Sequence, residues 1–187
     1  MTQEIEIEFK NLLTKQEYDM LLAHLPFPED GQKQINYYFE TPDRKLQNRQ
    51  SALRIREKNG KYRLTLKEPF GDGLLETHDT LTFEEASLWM KGNPIAKKAT
   101  TTQLHNLQVP LEELQYYGSL TTIRREYQNN GLIFVLDYST YHNQEDYELE
   151  IEALDKETGL KAFEQTLKQL GIEKRKHLIK LLVSSKV

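Results

Sequence analysis

Two short segments carry glutamate at every second position: Glu4-Ile5-Glu6-Ile7-Glu8-Phe9-Lys10 near the start and Tyr147-Glu148-Leu149-Glu150-Ile151-Glu152-Ala153 near the end. In a strand, side chains alternate faces, so each segment gathers its glutamates on one face and its apolar residues on the other. An antiparallel sheet with one wet face explains one such strand. Two of them are harder to explain, because adjacent carboxylates repel unless a cation lies between them. Paired carboxylates bind hard divalent cations such as Mg²⁺ or Mn²⁺. A third segment has the opposite sign. Asn59-Gly60 between two β-rich runs is a strong hairpin signal. A two-residue loop there sets Arg56 against Arg63, Arg54 against Thr65 and Ala52 against Lys67 on one face, with Leu53 against Leu66 and Ile55 against Leu64 on the other. Arg54, Arg56, Arg63 and Lys67 thus crowd one patch. Like charges directly opposed in a sheet cost ~0.2–1 kcal/mol per pair. Such a patch suits a polyanion, since Arg forks and Lys point charges both bind phosphate oxygens.

The elements that hold these residues follow from periodicity and punctuation. Strands are expected at 3–10, 33–40, 52–58, 61–67, 74–82, 119–128, 131–139 and 146–153. A helix begins after Thr14, with Glu17 placed for a capping box, and ends before Pro26 and Pro28. Residues 83–117 lose the two-residue period and read as helical, broken at Gly92-Asn93-Pro94 and Pro110. Residues 156–170 form an amphipathic helix stopped by Gly171, and a last short helix is expected at 175–183. The loop Asn129-Asn130-Gly131 allows two registers. A two-residue loop sets Arg124 opposite Asp137. A three-residue loop sets Ile123 there and puts Arg125 and Asp137 on one face.

The 187 residues suit one domain, 1–187, with a helical insertion at about 83–117. Absence of cysteine excludes a disulfide scaffold, a thiolate metal site and a cysteine nucleophile. The 25 Lys and Arg against 29 Asp and Glu give a net charge of -4, which argues against a surface built for long nucleic acids. No apolar run approaches the ~20 residues of a membrane span. With an acidic N-terminus lacking an apolar leader, the expected location is cytoplasmic, away from membranes. The five histidines lack metal-ligand spacing, although His78 shares a strand face with Glu76. Trp89 sits at a core spacing. There is no Gly-rich phosphate loop and no Ser/His/Asp arrangement.

Glu6-Ile7-Glu8-Phe9-Lys10 resembles the ExExK strand of the CYTH domain, the triphosphate tunnel metalloenzymes. Around it, Tyr38-Phe39-Glu40-Thr41-Pro42 resembles that family's YFDTP segment, with Glu40 in place of Asp. Leu53-Arg54-Ile55-Arg56 resembles its LRxR strand, Leu64-Thr65-Leu66-Lys67 its LTLK strand, and Glu150-Ile151-Glu152 its late ExE strand. The resemblance spans nearly the whole chain. It implies an α+β fold: an eight-stranded antiparallel β-barrel, or tunnel, with helices packed outside. It also implies metal ligation by Glu6, Glu8, Glu150 and Glu152, and phosphate binding by Lys10, Arg54, Arg56, Lys67, Arg125 and Lys176. Arg63 joins that set from the hairpin pairing alone. Lys10, Lys67 and Tyr38 would be catalytic, Tyr38 by positioning substrate beyond the phosphates. Glu76, Asp137 and Glu148 would be further tunnel acids. Because the resemblance requires Arg125 and Asp137 inside, it selects the three-residue loop and turns Arg124 outward.

The implied reaction is Mg²⁺- or Mn²⁺-dependent hydrolysis of a triphosphate compound, with inorganic triphosphate favoured by the lack of nucleobase-reading features. The alternatives are a class IV-type adenylate cyclase and a non-catalytic module that binds polyphosphate or a nucleotide. The expected partner is a small-molecule triphosphate; monomer and homodimer both remain open. A crowded cationic face gains stability by linkage when an anion relieves it. Tripolyphosphate is therefore expected to raise the melting temperature far more than sulfate at equal ionic strength. Equal shifts in a thermal melt would indicate a generic basic patch.

Overall fold

A computed structural model describes residues 2–175. Lys176 and the rest of the helix expected at 175–183 lie outside them. Among the described residues, eight strands and five α-helices follow one another as β1 (Gln3–Leu13), α1 (Lys15–His24), β2 (Gln32–Glu40), α2 (Lys45–Asn48), β3 (Ala52–Lys58), β4 (Lys61–Phe70), β5 (Gly73–Leu81), α3 (Phe83–Met90), α4 (Lys98–Asn106), β6 (Gln115–Asn129), β7 (Leu132–Tyr141), β8 (Gln144–Ala153) and α5 (Lys156–Gln169). The strands form a closed antiparallel barrel in the order β1-β5-β4-β3-β2-β6-β7-β8. No helix among the described residues is long and apolar enough to cross a membrane. The helical stretch ends earlier than expected: β6 already begins at Gln115, two residues before 117. The chain divides into two compact units, the first comprising residues 2–5 and 34–120, the second residues 6–33 and 121–175.

In the first unit, the Asn59-Gly60 loop has positive φ at both residues (53° and 72°), the turn whose twist matches paired strands. The register follows: Arg56 faces Arg63, Arg54 faces Thr65, and Ala52 faces Lys67. The other face supplies Leu53, Ile55, Leu64 and Leu66, all fully buried, to a core with Phe39, Trp89 and Leu104. Phe39 and Trp89 meet edge to face at 5.2 Å. Helix α4 lacks a side-chain cap of its own, and Asp79 of β5 provides one, accepting from Thr100 N and Oγ1, each at 2.7 Å.

In the second unit, α1 starts with the expected capping box between Thr14 and Glu17. Helix α5 packs its apolar stripe on the outer face of β1 and β8, in a core of Leu136, Leu149, Ile151, Phe163 and Leu167. Phe9 and Phe163 lie 5.9 Å apart. Close approach is possible because residue 159 is glycine: a Cβ there would lie 2.5 Å from Phe9 Cε2 and 2.7 Å from Ala153 Cβ. Gly159→Ala is expected to destabilise the fold by about 1–3 kcal/mol through overpacking, despite alanine's better helix propensity. A lower urea midpoint with unchanged slope would register it.

Candidate active site

The carboxylates of the second unit converge because three strands present the same face. In the β1–β8 ladder Glu8 lies opposite Glu152 and Lys10 opposite Glu150. In the β7–β8 ladder Asp137 lies opposite Glu148, and Val135 opposite Glu150. Two sets result, Glu6–Glu150–Glu152 and Asp137–Glu148–Glu150, each with one oxygen per residue within 4.8 Å of the others. Glu150, only 3% exposed, belongs to both.

Two cations accompany these acids. Lys10 Nζ lies 3.0 Å from Glu8 Oε1 and 3.5 Å from Glu150 Oε2. Arg124 grips Asp137 with two hydrogen bonds, Nε to Oδ1 at 2.8 Å and Nη2 to Oδ2 at 2.7 Å, and its Nη2 lies 3.3 Å from Glu150. Burial alone would lower the Lys10 pKa, but Glu150, Glu8 and Glu148 carry it well above its ordinary value. Arg124 is likewise raised, burial being outweighed by Asp137 and Glu150. Glu152 is compensated only in part, by the charge of Arg124. Burial, then the charges of Glu150 and Glu6, push its carboxyl up to about 8, with a hydrogen bond between the Glu152 and Glu6 carboxyls adding to the shift.

The first unit carries the opposite arrangement, one acid among cations. Lys67 Nζ lies 3.1 Å from Glu76 Oε1 and Arg54 Nη2 lies 3.7 Å from the same oxygen. Burial would raise the Glu76 pKa; Arg54 and Lys67 overcome that and bring it to about 2. Arg56 donates from Nε to Asn36 Oδ1 at 2.9 Å. Tyr38, half-buried, lies opposite Arg54 on β2. Arg63 is mostly exposed, 3.9 Å from Glu4. His78 ties the acids together: Nδ1 meets Thr65 Oγ1 at 3.0 Å, and Nε2 lies 2.8 Å from Glu4 and 3.4 Å from Glu76.

One expected position is overturned. The β6–β7 loop has two residues, with positive φ at Asn130 (50°) and Gly131 (78°), so Arg124 and not Ile123 lies opposite Asp137. Arg125 points to the opposite face of β6. There it donates to the Tyr18 hydroxyl at 2.8 Å and to the Glu29 carbonyl at 3.1 Å. A turn with both residues left-handed matches the strand twist, and Asn tolerates that conformation nearly as Gly does. Arg124, expected outside, takes the place among the acids. Glu40 also has a definite task. Its carboxylate accepts from the backbone of Thr41, Leu46 and Gln47, closing the loop into α2.

The CYTH domain pattern matches residues 4–181 of the chain. The chain belongs to the CYTH family. It is 48% identical over 183 residues to the Bacillus subtilis protein named "Putative triphosphatase YjbK", covering 97% of this chain and 95% of that protein. Among solved structures, one from Bacillus halodurans called a "putative adenylate cyclase" superposes with a TM-score of 0.93 at 37% identity, over the full length of both chains. A Hippeastrum protein, HpAC1, described as a "putative adenylyl cyclase" with a dominant triphosphatase activity, superposes with a TM-score of 0.72 at 26% identity, covering 96% of this chain and 94% of that one.

The all-oxygen donor set of Glu6, Glu150 and Glu152 in this CYTH chain has the chemistry of a hard divalent cation site. A cation there must displace the proton that Glu152 retains up to about pH 8. Mn²⁺ affinity is therefore expected to rise steadily between pH 6 and 8, and Glu152→Gln to weaken binding and flatten the rise. Calorimetric titration at three pH values measures both; a flat wild-type profile would contradict the protonated carboxyl.

Proposed function

We propose that this CYTH protein hydrolyses the terminal phosphoanhydride of a triphosphate compound with a divalent metal cofactor, inorganic triphosphate being the favoured substrate. The observation that carries this reading is the division of charge: carboxylates gathered within 4.8 Å of one another on β1, β7 and β8, and cations crowded on the β3–β4 hairpin. Glu6, Glu8, Glu150 and Glu152 would hold Mg²⁺ or Mn²⁺. When bound, the ion supplies charge neutralisation and Lewis-acid polarisation of phosphoryl oxygens. Arg54, Arg56 and Lys67 bind phosphate oxygens, and Glu76 keeps Arg54 and Lys67 oriented between turnovers. Lys10 and Arg124 balance the charge of the acids. Tyr38, beside Arg54, orients the substrate. Water attacks the terminal phosphorus in line and diphosphate leaves with the bridging oxygen. Because the residues assigned to the substrate are chiefly charged, they recognise phosphate rather than a base.

Incubation with tripolyphosphate, ATP or thiamine triphosphate and Mg²⁺ or Mn²⁺ tests the reading. Expected are orthophosphate and diphosphate from tripolyphosphate, and none after chelation of the metal. Cyclic AMP with diphosphate from ATP would instead support the cyclase that the B. halodurans relative's name suggests. Tight binding without product would indicate a binding module. Arg124→Ala is expected to lower kcat/KM by about tenfold or more, the worth of a charged hydrogen bond. Arg125→Ala should change kcat/KM less than about twofold and instead lower the melting temperature, since it loses Tyr18 and Glu29. The reverse would place the wrong arginine at the phosphates.

A further inference from the structure

The side chain of Gln34 is buried, the residue being 2% exposed, yet its amide nitrogen has no hydrogen-bond partner among the described residues. Buried donors are almost always satisfied, and leaving one unmade costs as much as a lost hydrogen bond. The position in β2 explains the burial. Ile35, Tyr37 and Phe39 alternate to the other face, where Tyr37 and Phe39 join the core of the first unit. Gln34, Asn36 and Tyr38 share the remaining face. Asn36 on that face accepts from Arg56, and Tyr38 lies opposite Arg54. Gln34 thus shares a face of β2 with Asn36 and Tyr38, which lie opposite Arg56 and Arg54 of β3, and it is separated from Asn36 by two residues of strand, about 7 Å.

We propose that Gln34 is a substrate-contacting residue whose amide donates to a phosphoryl oxygen of the bound oligophosphate, extending the subsite of Arg54 and Arg56 along β2. Phosphoryl oxygens are acceptors only, which matches a donor left over in a face already supplied with cations. This assignment rests on the triphosphate reading above. It makes Gln34 a residue that burdens the free protein and is satisfied by ligand, as strained or unsatisfied groups at functional sites often are.

Gln34→Leu and Gln34→Glu, compared with wild type by thermal melts and by titration with tripolyphosphate and with diphosphate, test it. Gln34→Leu removes the orphan donor without emptying its space. Its melting temperature without ligand should equal or exceed that of wild type, while tripolyphosphate affinity falls about tenfold or more and the ligand-induced shift shrinks. Gln34→Glu, which adds a like charge, should lose more affinity still. Unchanged tripolyphosphate affinity in Gln34→Leu while wild type binds normally would overturn the role of Gln34 alone. So would a lower ligand-free melting temperature with an unchanged ligand shift, the mark of a structural hydrogen bond. Failure of wild type itself to bind tripolyphosphate, with or without Mg²⁺, would overturn the triphosphate reading and this subsite together.

Discussion

Glu150 is the residue on which the second unit's chemistry depends. It is buried, it belongs to two carboxylate sets, and it lies within ion-pairing distance of both Lys10 and Arg124. A carboxylate this deep is tolerated only if paired, and breaking such a pair leaves an uncompensated buried charge. The sheet solves the problem by register. Lys10 stands opposite Glu150 across β1–β8, and Arg124 stands opposite Asp137 across β6–β7. The compensation is incomplete at Glu152, where burial and the charges of Glu150 and Glu6 push the carboxyl up to about 8. The fold therefore gathers carboxylate oxygens close enough to hold a small hard cation.

Glu76 is the mirror image in the first unit. There a single acid serves Arg54 and Lys67, with His78 at its other oxygen. The two acids respond oppositely to pH. The Glu76 pKa falls on folding to about 2, so its contribution to stability is present above the unfolded value near 4.5 and is lost as pH drops toward 2. The Glu152 pKa rises on folding to about 8, so the stability tied to its bound proton is present below about 4.5 and is lost as pH rises toward 8. A divalent cation would replace that lost term at neutral pH.

The sequence made the early hairpin legible down to individual pairs, because Asn59-Gly60 admits one turn and strict alternation admits one facing. The acidic rows of β1 and β8 were legible for the same reason. Asn129-Asn130-Gly131 admitted two turns, and motif resemblance selected the wrong one. The hydrophobic pattern could have decided it: the two-residue register turns Phe134 and Leu136 to one face with Tyr127 and Arg125, leaving Val135 and Asp137 with Arg124. Short α2 was not legible, since a four-residue helix has no periodicity; it exists because Glu40 reaches the amides of Leu46 and Gln47. Arg124 was weighed opposite Asp137 and then turned outward by the motif resemblance, whereas Gln34 escaped notice because it matters through its lack of a partner, which spacing does not encode. The family match and the closed strand order bear out the fold inferred from the motifs.

The carboxylates of the second unit repel one another, and a divalent cation among them would relieve that repulsion. The thermal stability of Glu6→Gln, measured with and without Mn²⁺ at pH 8, tests it most directly, because this change removes one charge from the cluster while keeping its shape. The expected result is a metal-free melting temperature above that of wild type and loss of most of the Mn²⁺-induced increase. A lower metal-free melting temperature with an undiminished Mn²⁺ response would contradict it.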